Sequence, residues 1–140
     1  MGARKRESAE KRKEEMKDVA RAVLRNCPSS PRKMRYVIDM IRGLEVNKAL
    51  DILHYSNKQP ARVVEKLLKS AISNWQSKNE GLRIEDTNLY IREVFVNQGR
   101  TLKRIQPAPQ GRAYRVRKRS NHVTLILDHT QPVTSEVQTN

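Results

Sequence analysis

The sequence predicts a single α+β domain carrying a protruding hairpin, and three observations carry that reading. Between Ser30 and Lys78 apolar residues recur at three- and four-residue intervals, the period of a helix with one buried face. After Gly81 the period drops to two, in a stretch rich in β-branched and aromatic residues from Leu89 to Val96. A proline and glycine break, Pro107, Ala108, Pro109, Gln110 and Gly111, then separates two arms that together span residues 100–119.

Taken in order, residues 1–18 hold almost nothing apolar and mix Lys and Arg with Glu. Such a segment buries too little to offset its ordering entropy, so a flexible extension is expected, although the alternating charges permit a helix on a partner. From Val19 to Cys27 the alternation suggests an edge strand, with a helix as the alternative. Ser30 followed by Pro31 marks an N-cap with proline at the first helical position; Met34, Val37, Ile38 and Ile41 share a face, and Gly43 supplies the stop. A short helix from about Asn47 to Tyr55 should bury Leu50 and Leu53. A longer one from Pro60 carries Val63, Val64, Leu67, Leu68, Ala71, Ile72 and Trp75, and forms the core's spine. Asn97, Gln98 and Gly99 read as a turn before an arm from Thr101 to Gln106. The chain returns through Arg112–Arg119 into the apolar run Val123–Leu127. The domain therefore covers 19–128, and 129–140 is a polar tail.

The charge is one-sided. The chain of 140 residues has 29 Lys and Arg against 15 Asp and Glu, a net charge of +14. Mean hydropathy is −0.81. So basic a chain repels itself unless a polyanion neutralises it, and nucleic acid phosphate is the abundant choice. No acidic residue lies between Glu93 and Asp128, yet eight Lys and Arg fall in residues 100–119. Arms of about eight residues at roughly 3.3 Å each would project on the order of 25 Å. Within them Lys103, Arg104, Arg112, Arg115, Arg117, Lys118 and Arg119 repel one another, and a two-stranded ribbon is marginal in water even without that repulsion. RNA supplies phosphates for the charge and exposed bases for guanidinium planes to stack on. A second basic group, Ser30, Arg32, Lys33 and Arg35, opens a helix, where free N–H groups also favour phosphate.

Other classes fall away. One cysteine, Cys27, makes no disulfide framework or zinc cluster and reads as a buried packing residue. The five glycines are scattered, so no glycine-rich phosphate loop exists. His54, His122 and His129 lack metal-ligand spacing; His54 reads as a surface or packing residue, and His122 equally as an RNA contact or packing. Trp75 continues an apolar stripe and belongs to the core. No secretory or myristoylation signal and no membrane-length apolar run is present, so a cytosolic protein is expected, with no membrane partner, no cofactor and no metal. A DNA-binding protein would need base-reading side chains along the Ser30 helix, which is mostly apolar after Arg35; no DNA partner is expected. A small hydrolase would need titratable groups converging on a pocket.

Several motifs carry a resemblance. Ser30-Pro31-Arg32-Lys33-Met34-Arg35, Ile41-Arg42-Gly43, Ala49-Leu50-Asp51-Ile52-Leu53, Ser70-Ala71-Ile72-Ser73-Asn74, Lys103-Arg104, Gly111-Arg112-Ala113 and Lys118-Arg119-Ser120-Asn121-His122 follow in an order that closely resembles the bacterial family of large-subunit ribosomal protein twenty-two. The resemblance runs from about Val19 to Asp128. It implies three helices packed on a small antiparallel sheet with a long hairpin, and a structural, non-catalytic role. By the same resemblance the protein binds large-subunit ribosomal RNA, aids its assembly in the cytoplasmic ribosome, and lines the peptide exit tunnel with the hairpin. Neighbouring ribosomal proteins and the nascent peptide are the other implied partners. Carried over, Ser30, Arg32, Lys33 and Arg35 are RNA contacts at the helix start. Arg100, Lys103, Arg104, Gly111, Arg112, Arg115, Arg117, Lys118, Arg119 and His122 are RNA contacts along the hairpin and return strand, and Pro107, Ala108, Pro109 and Gln110 are the tunnel tip. The chain departs from the family's pattern at the tip, where Ala108, Pro109 and Gln110 stand in place of the usual basic residues, and at Ser73 and Trp75, which replace small ones; the N-terminal extension and the tail after Asp128 lie outside it.

Overall fold

The computed structural model describes residues 3–79 and 87–129. Their elements are α1 (Ala3–Asp18), β1 (Ala20–Cys27), α2 (Pro31–Asp39), α3 (Val46–Tyr55), α4 (Gln59–Lys78), β2 (Leu89–Pro107) and β3 (Ala113–His129). The strands form one antiparallel sheet in the order β1-β3-β2, so β3 is central and β1 is the edge strand the alternation suggested. Helices cover one face: α4 lies against β1 and β3, α2 against β2 and β3, and α3 against α4. This is the predicted α+β architecture with a fourth helix added.

That fourth helix occupies the segment expected to be a flexible extension. Its i,i+4 pairing explains the local order: Arg6 Nε lies 3.0 Å from Glu10 Oε1, and Arg12 bonds back to Ser8. α1 packs extensively on no other described element. At the other end His129 closes β3 opposite Leu89; the polar tail beyond it lies outside the described residues.

The core is built from cross-strand rows. Ala20, Leu127 and Ile91 form one row, Ala22, Leu125 and Val94 the next, and Leu24, Val123 and Val96 the third. Leu127 lies two positions beyond Leu125, but Val94 lies three beyond Ile91. A bulge between Ile91 and Glu93 absorbs the extra residue and keeps both inward. Onto these rows pack Met34, Val37, Ile38 and Ile41, the helix-α3 residues Val46, Ala49 and Leu53, and Val64, Leu68, Ala71 and Trp75 of α4. Trp75 and Cys27 are buried as expected, Leu50 only partly so, and His54 is exposed. Gly43 ends the α2 region at φ +74°.

One turn expectation is corrected. Asn97, Gln98 and Gly99 do not reverse the chain, because β2 runs through them without a break. A second bulge sits there, with Gln98 opposite Asn121 and Thr101 opposite Arg119. Gly99 and Arg100 thus face the single residue Ser120, whose Oγ donates to Arg100 O at 2.7 Å. Gly99 is needed for close approach, since a Cβ there would stand 2.6 Å from Ser120 Oγ and 3.1 Å from Ser120 C. The bulge marks where core ends and hairpin begins: Val96 and Asn121 are the last buried residues on either strand toward the tip.

Candidate nucleic-acid interface

Beyond the bulge, Thr101–Pro107 pairs with Ala113–Arg119 in unbroken register. Seven residues at roughly 3.3 Å each carry the arm about 23 Å from the core. The tip is a type I′ turn: Gln110 and Gly111 have φ +60° and +68°, Arg112 N–H points to Pro109 O at 3.4 Å, and Ala108 N–H donates to Arg112 O at 2.9 Å. No charged side chain stands between Pro107 and Gly111.

The register sorts the arm into two faces, because cross-strand partners share a side. Lys103, Arg115, Arg117 and Arg119 fall on one, with Thr101 and Ile105. Leu102, Arg104, Gln106, Tyr114, Val116 and Lys118 fall on the other. The first concentrates cations; the second offers a ring and aliphatic surface between two. Ile105 and Tyr114 are 76% and 64% exposed, so the apolar contacts do not support the ribbon internally.

At its root the hairpin meets α2. A cleft of about 530 Å³ is lined by Ser30, Pro31, Arg32, Lys33, Arg35, Gln98 and Arg119. A second, of about 480 Å³, is lined by Asn26, Pro28, Arg100, Leu102, Lys118, Arg119 and Ser120. Arg119 belongs to both. The two basic groups recognised separately in the sequence are therefore one surface.

Ser30 occupies the N-cap position with extended backbone, but its hydroxyl makes no capping hydrogen bond. Pro31 has no N–H, and the first helical bond runs from Met34 N–H to Ser30 O. The Arg32 and Lys33 N–H groups therefore open toward the cleft without intrahelical acceptors, beside the positive end of the helix dipole. No acidic residue stands in this first turn. The loop is anchored from behind: Asn121 Nδ2 donates to Ser29 O at 2.7 Å, and Ser29 N–H to Cys27 O at 2.8 Å. Asn26, at φ +55°, donates its N–H to His122 Nδ1 at 3.0 Å, which leaves the imidazole proton on Nε2. His122 is half-buried behind the clefts, and its Nδ1 is engaged in holding this loop.

Among the described residues, none of Arg32, Lys33, Arg35, Arg100, Lys103, Arg104, Arg112, Arg115, Arg117, Lys118 and Arg119 is in an ion pair; Arg104 donates only to the carbonyl of its neighbour Lys103. The structure gathers Ser30, Arg32, Lys33, Arg35, Arg100, Lys118 and Arg119 at the root. It carries Lys103, Arg104, Arg112, Arg115, Arg117 and the Pro107–Gly111 tip away from it. Asn26, Pro28, Gln98 and Leu102 join this surface without a sequence pattern that singles them out as a group, and buried Asn121 supports it from behind. For Gln98 the signal lies in the Asn97-Gln98-Gly99 run, whose composition is that of a turn and whose structure is a bulge.

An uncapped helix start and a self-repelling ribbon meet at one arginine, and together they form a basic surface with the chemistry of a structural, polyanion-docking class of protein rather than of a catalytic site. The family described as "Ribosomal protein L22p/L17e" matches residues 22–128. The chain is 61% identical over 128 residues to the "Large ribosomal subunit protein uL22" of Bacteroides fragilis, covering 91% of this chain and 93% of the relative. Similar relatives under that name include those of Christiangramia forsetii, 58% identical over 127 residues (91% and 94% covered), and Flavobacterium johnsoniae, 56% over 127 (91% and 93%). The chain belongs to this family: it is a large-subunit ribosomal protein of the cytoplasmic ribosome, and not an enzyme.

Proposed function

We propose that the chain binds large-subunit ribosomal RNA through the α2 start, the two clefts and the hairpin, helps that RNA fold during assembly, and lines the peptide exit tunnel with the hairpin tip. The observation that carries this is a set of eleven cations, Arg32, Lys33 and Arg35 at the α2 start and the eight of residues 100–119, none of them in an ion pair among the described residues. An exposed two-stranded ribbon bearing such charge holds its shape against something negative. RNA fits better than a diffuse anionic surface, because one hairpin face clusters cations while the other sets Tyr114 beside Arg104, a pairing suited to stacked bases. An uncharged I′ tip at Pro107, Ala108, Pro109 and Gln110 supports the tunnel role, since it adds no fixed charge to a passing peptide. Neighbouring large-subunit proteins and the nascent peptide are its further partners.

The test is incorporation. Lys103→Gln/Arg115→Gln/Arg117→Gln/Arg119→Gln should sediment with large subunits far less than the parent after a high-salt wash. In translating ribosomes, a photoreactive probe at Gln110→Cys should cross-link to the nascent chain. Equal retention of the variant would overturn the RNA role, and a probe that reaches only RNA would overturn the tunnel role.

A further inference from the structure

Helix α1 lies outside the residues matched by the family. Its sequence holds two basic triplets, Arg4-Lys5-Arg6 and Lys11-Arg12-Lys13, seven residues apart. At 3.6 residues per turn a seven-residue step nearly closes two turns, so the triplets stack about 10 Å apart with Arg4 over Lys11, Lys5 over Arg12 and Arg6 over Lys13. Glu7, Glu10 and Glu14 fall within one sector of roughly 60°, the gap that the triplets leave open. Over residues 4–14 the helix therefore has a broad basic front centred on Lys5 and Arg12 and a narrow acidic back. Residues 4–14 are all exposed, and among the described residues Arg6 is the only one of these cations in an ion pair. Three cations in the first turn also oppose the helix dipole, a cost that a bound anion removes.

The fold sets this helix far from the hairpin. Val19, which follows α1, is tied to α4 by Lys78 Nζ donating to its carbonyl at 2.6 Å. Ala20 pairs with Leu127, 14 residues along β3 from Ala113 at the hairpin tip. That separation is on the order of 45 Å. α1 and the hairpin leave the sheet from opposite ends.

We propose that α1 is a second RNA-binding arm, which lays its Lys5/Arg12 front on a segment of large-subunit ribosomal RNA distinct from the one that holds the hairpin. RNA is the occupant because over residues 4–14 the front offers charge and no large apolar side chain. Between Ala3 and Glu14 the only apolar side chains are alanines, which supply none of the large anchors that a protein interface is built on. The acidic back orients the arm, since only one face tolerates phosphate. The proposal rests on the RNA reading above, and linking two arms raises avidity without altering either contact.

The test uses the full chain and large-subunit ribosomal RNA, read by salt-dependent binding and hydroxyl-radical footprinting. Lys5→Gln/Arg6→Gln/Arg12→Gln/Lys13→Gln should lower the slope of log affinity against log salt by about 3, at roughly 0.7–0.9 per contact. It should also erase protection in one RNA segment that the hairpin variant still protects. Glu7→Gln/Glu14→Gln should not lower the slope. An α1 variant with the parent's slope and footprint, or one losing the segment that the hairpin variant loses, overturns the second arm alone. A parent that leaves no footprint overturns the underlying RNA reading as well.

Discussion

Replacing Gly99 by alanine should strike the joint between core and hairpin. The new Cβ would lie 2.6 Å from Ser120 Oγ, 3.1 Å from Ser120 C and 3.2 Å from His122 Nε2. The hydroxyl can swing away only by giving up its 2.7 Å bond to Arg100 O, a loss of about 1 kcal/mol. The backbone contact remains, and the strands must part by a few tenths of an ångström, so overpacking adds about 1–2 kcal/mol. A total near 2–3 kcal/mol is expected in urea unfolding. Ser120→Ala alone should cost about 1 kcal/mol. In the double variant the shortest contact is gone, so its cost should fall below the sum of the singles by about 1 kcal/mol. Gly111→Ala is the contrast: nothing lies within 4 Å of its Cβ, but φ is +68°, so the cost of about 1 kcal/mol is conformational and confined to the tip. Strict additivity at Gly99 and Ser120, or a neutral Gly99→Ala, would refute the steric account of the bulge.

Three further outcomes follow from the structure. Residues 101–107 and 113–119 should exchange amide hydrogens quickly in the free protein and slowly once in the subunit, while α4 stays protected throughout; a free hairpin as protected as α4 would contradict the charge argument. Burial raises the Cys27 thiol pKa against a smaller lowering by the Ser29 backbone, so it should resist thiol reagents near pH 8 until the chain unfolds. The Lys69 ammonium, 2.7 Å from Glu65 Oε1, holds that carboxyl below its ordinary value near 4.5. A depressed carboxylate pKa means stability present above the ordinary value and lost as pH falls through the folded one, so Lys69→Met should flatten the fall in stability in acid.

The helices were legible because their signals are local. Ser30-Pro31, Gly43 and the stripe from Val64 to Trp75 depend on the chain within a turn or two of each residue. The bulges were not, because an extra residue at Arg92 or Gly99 is defined only against the partner strand. Asn97-Gln98-Gly99 has the chemistry of a reversal, and β3 converts it to a bulge by continuing alongside. The acid-free basic run marked the segment that forms the hairpin, and the ordered motifs named the family. What no local pattern shows is that Arg119 joins Ser30 and Arg32 in one cleft, since 86 residues separate Arg119 from Lys33 and the sheet alone brings them together. In residues 1–18 low apolar content argued for a flexible extension, helical on a partner at most, while Ala3–Asp18 form a helix with Arg6–Glu10 and Ser8–Arg12 contacts.

The central claim is that the unpaired cations of the α2 start and the hairpin are neutralised by phosphates of large-subunit ribosomal RNA. Its most direct measurement is the salt dependence of binding between the purified chain and that RNA from 50 to 300 mM, the range over which counterion release reads out at roughly 0.7–0.9 per phosphate contact. With several of the eleven cations engaged, the slope of log affinity against log salt should be steeper than about −4, and Lys103→Gln/Arg115→Gln/Arg117→Gln/Arg119→Gln should reduce it by about 3. Binding that is insensitive to salt over this range, or a slope the quadruple variant leaves unchanged, would contradict it.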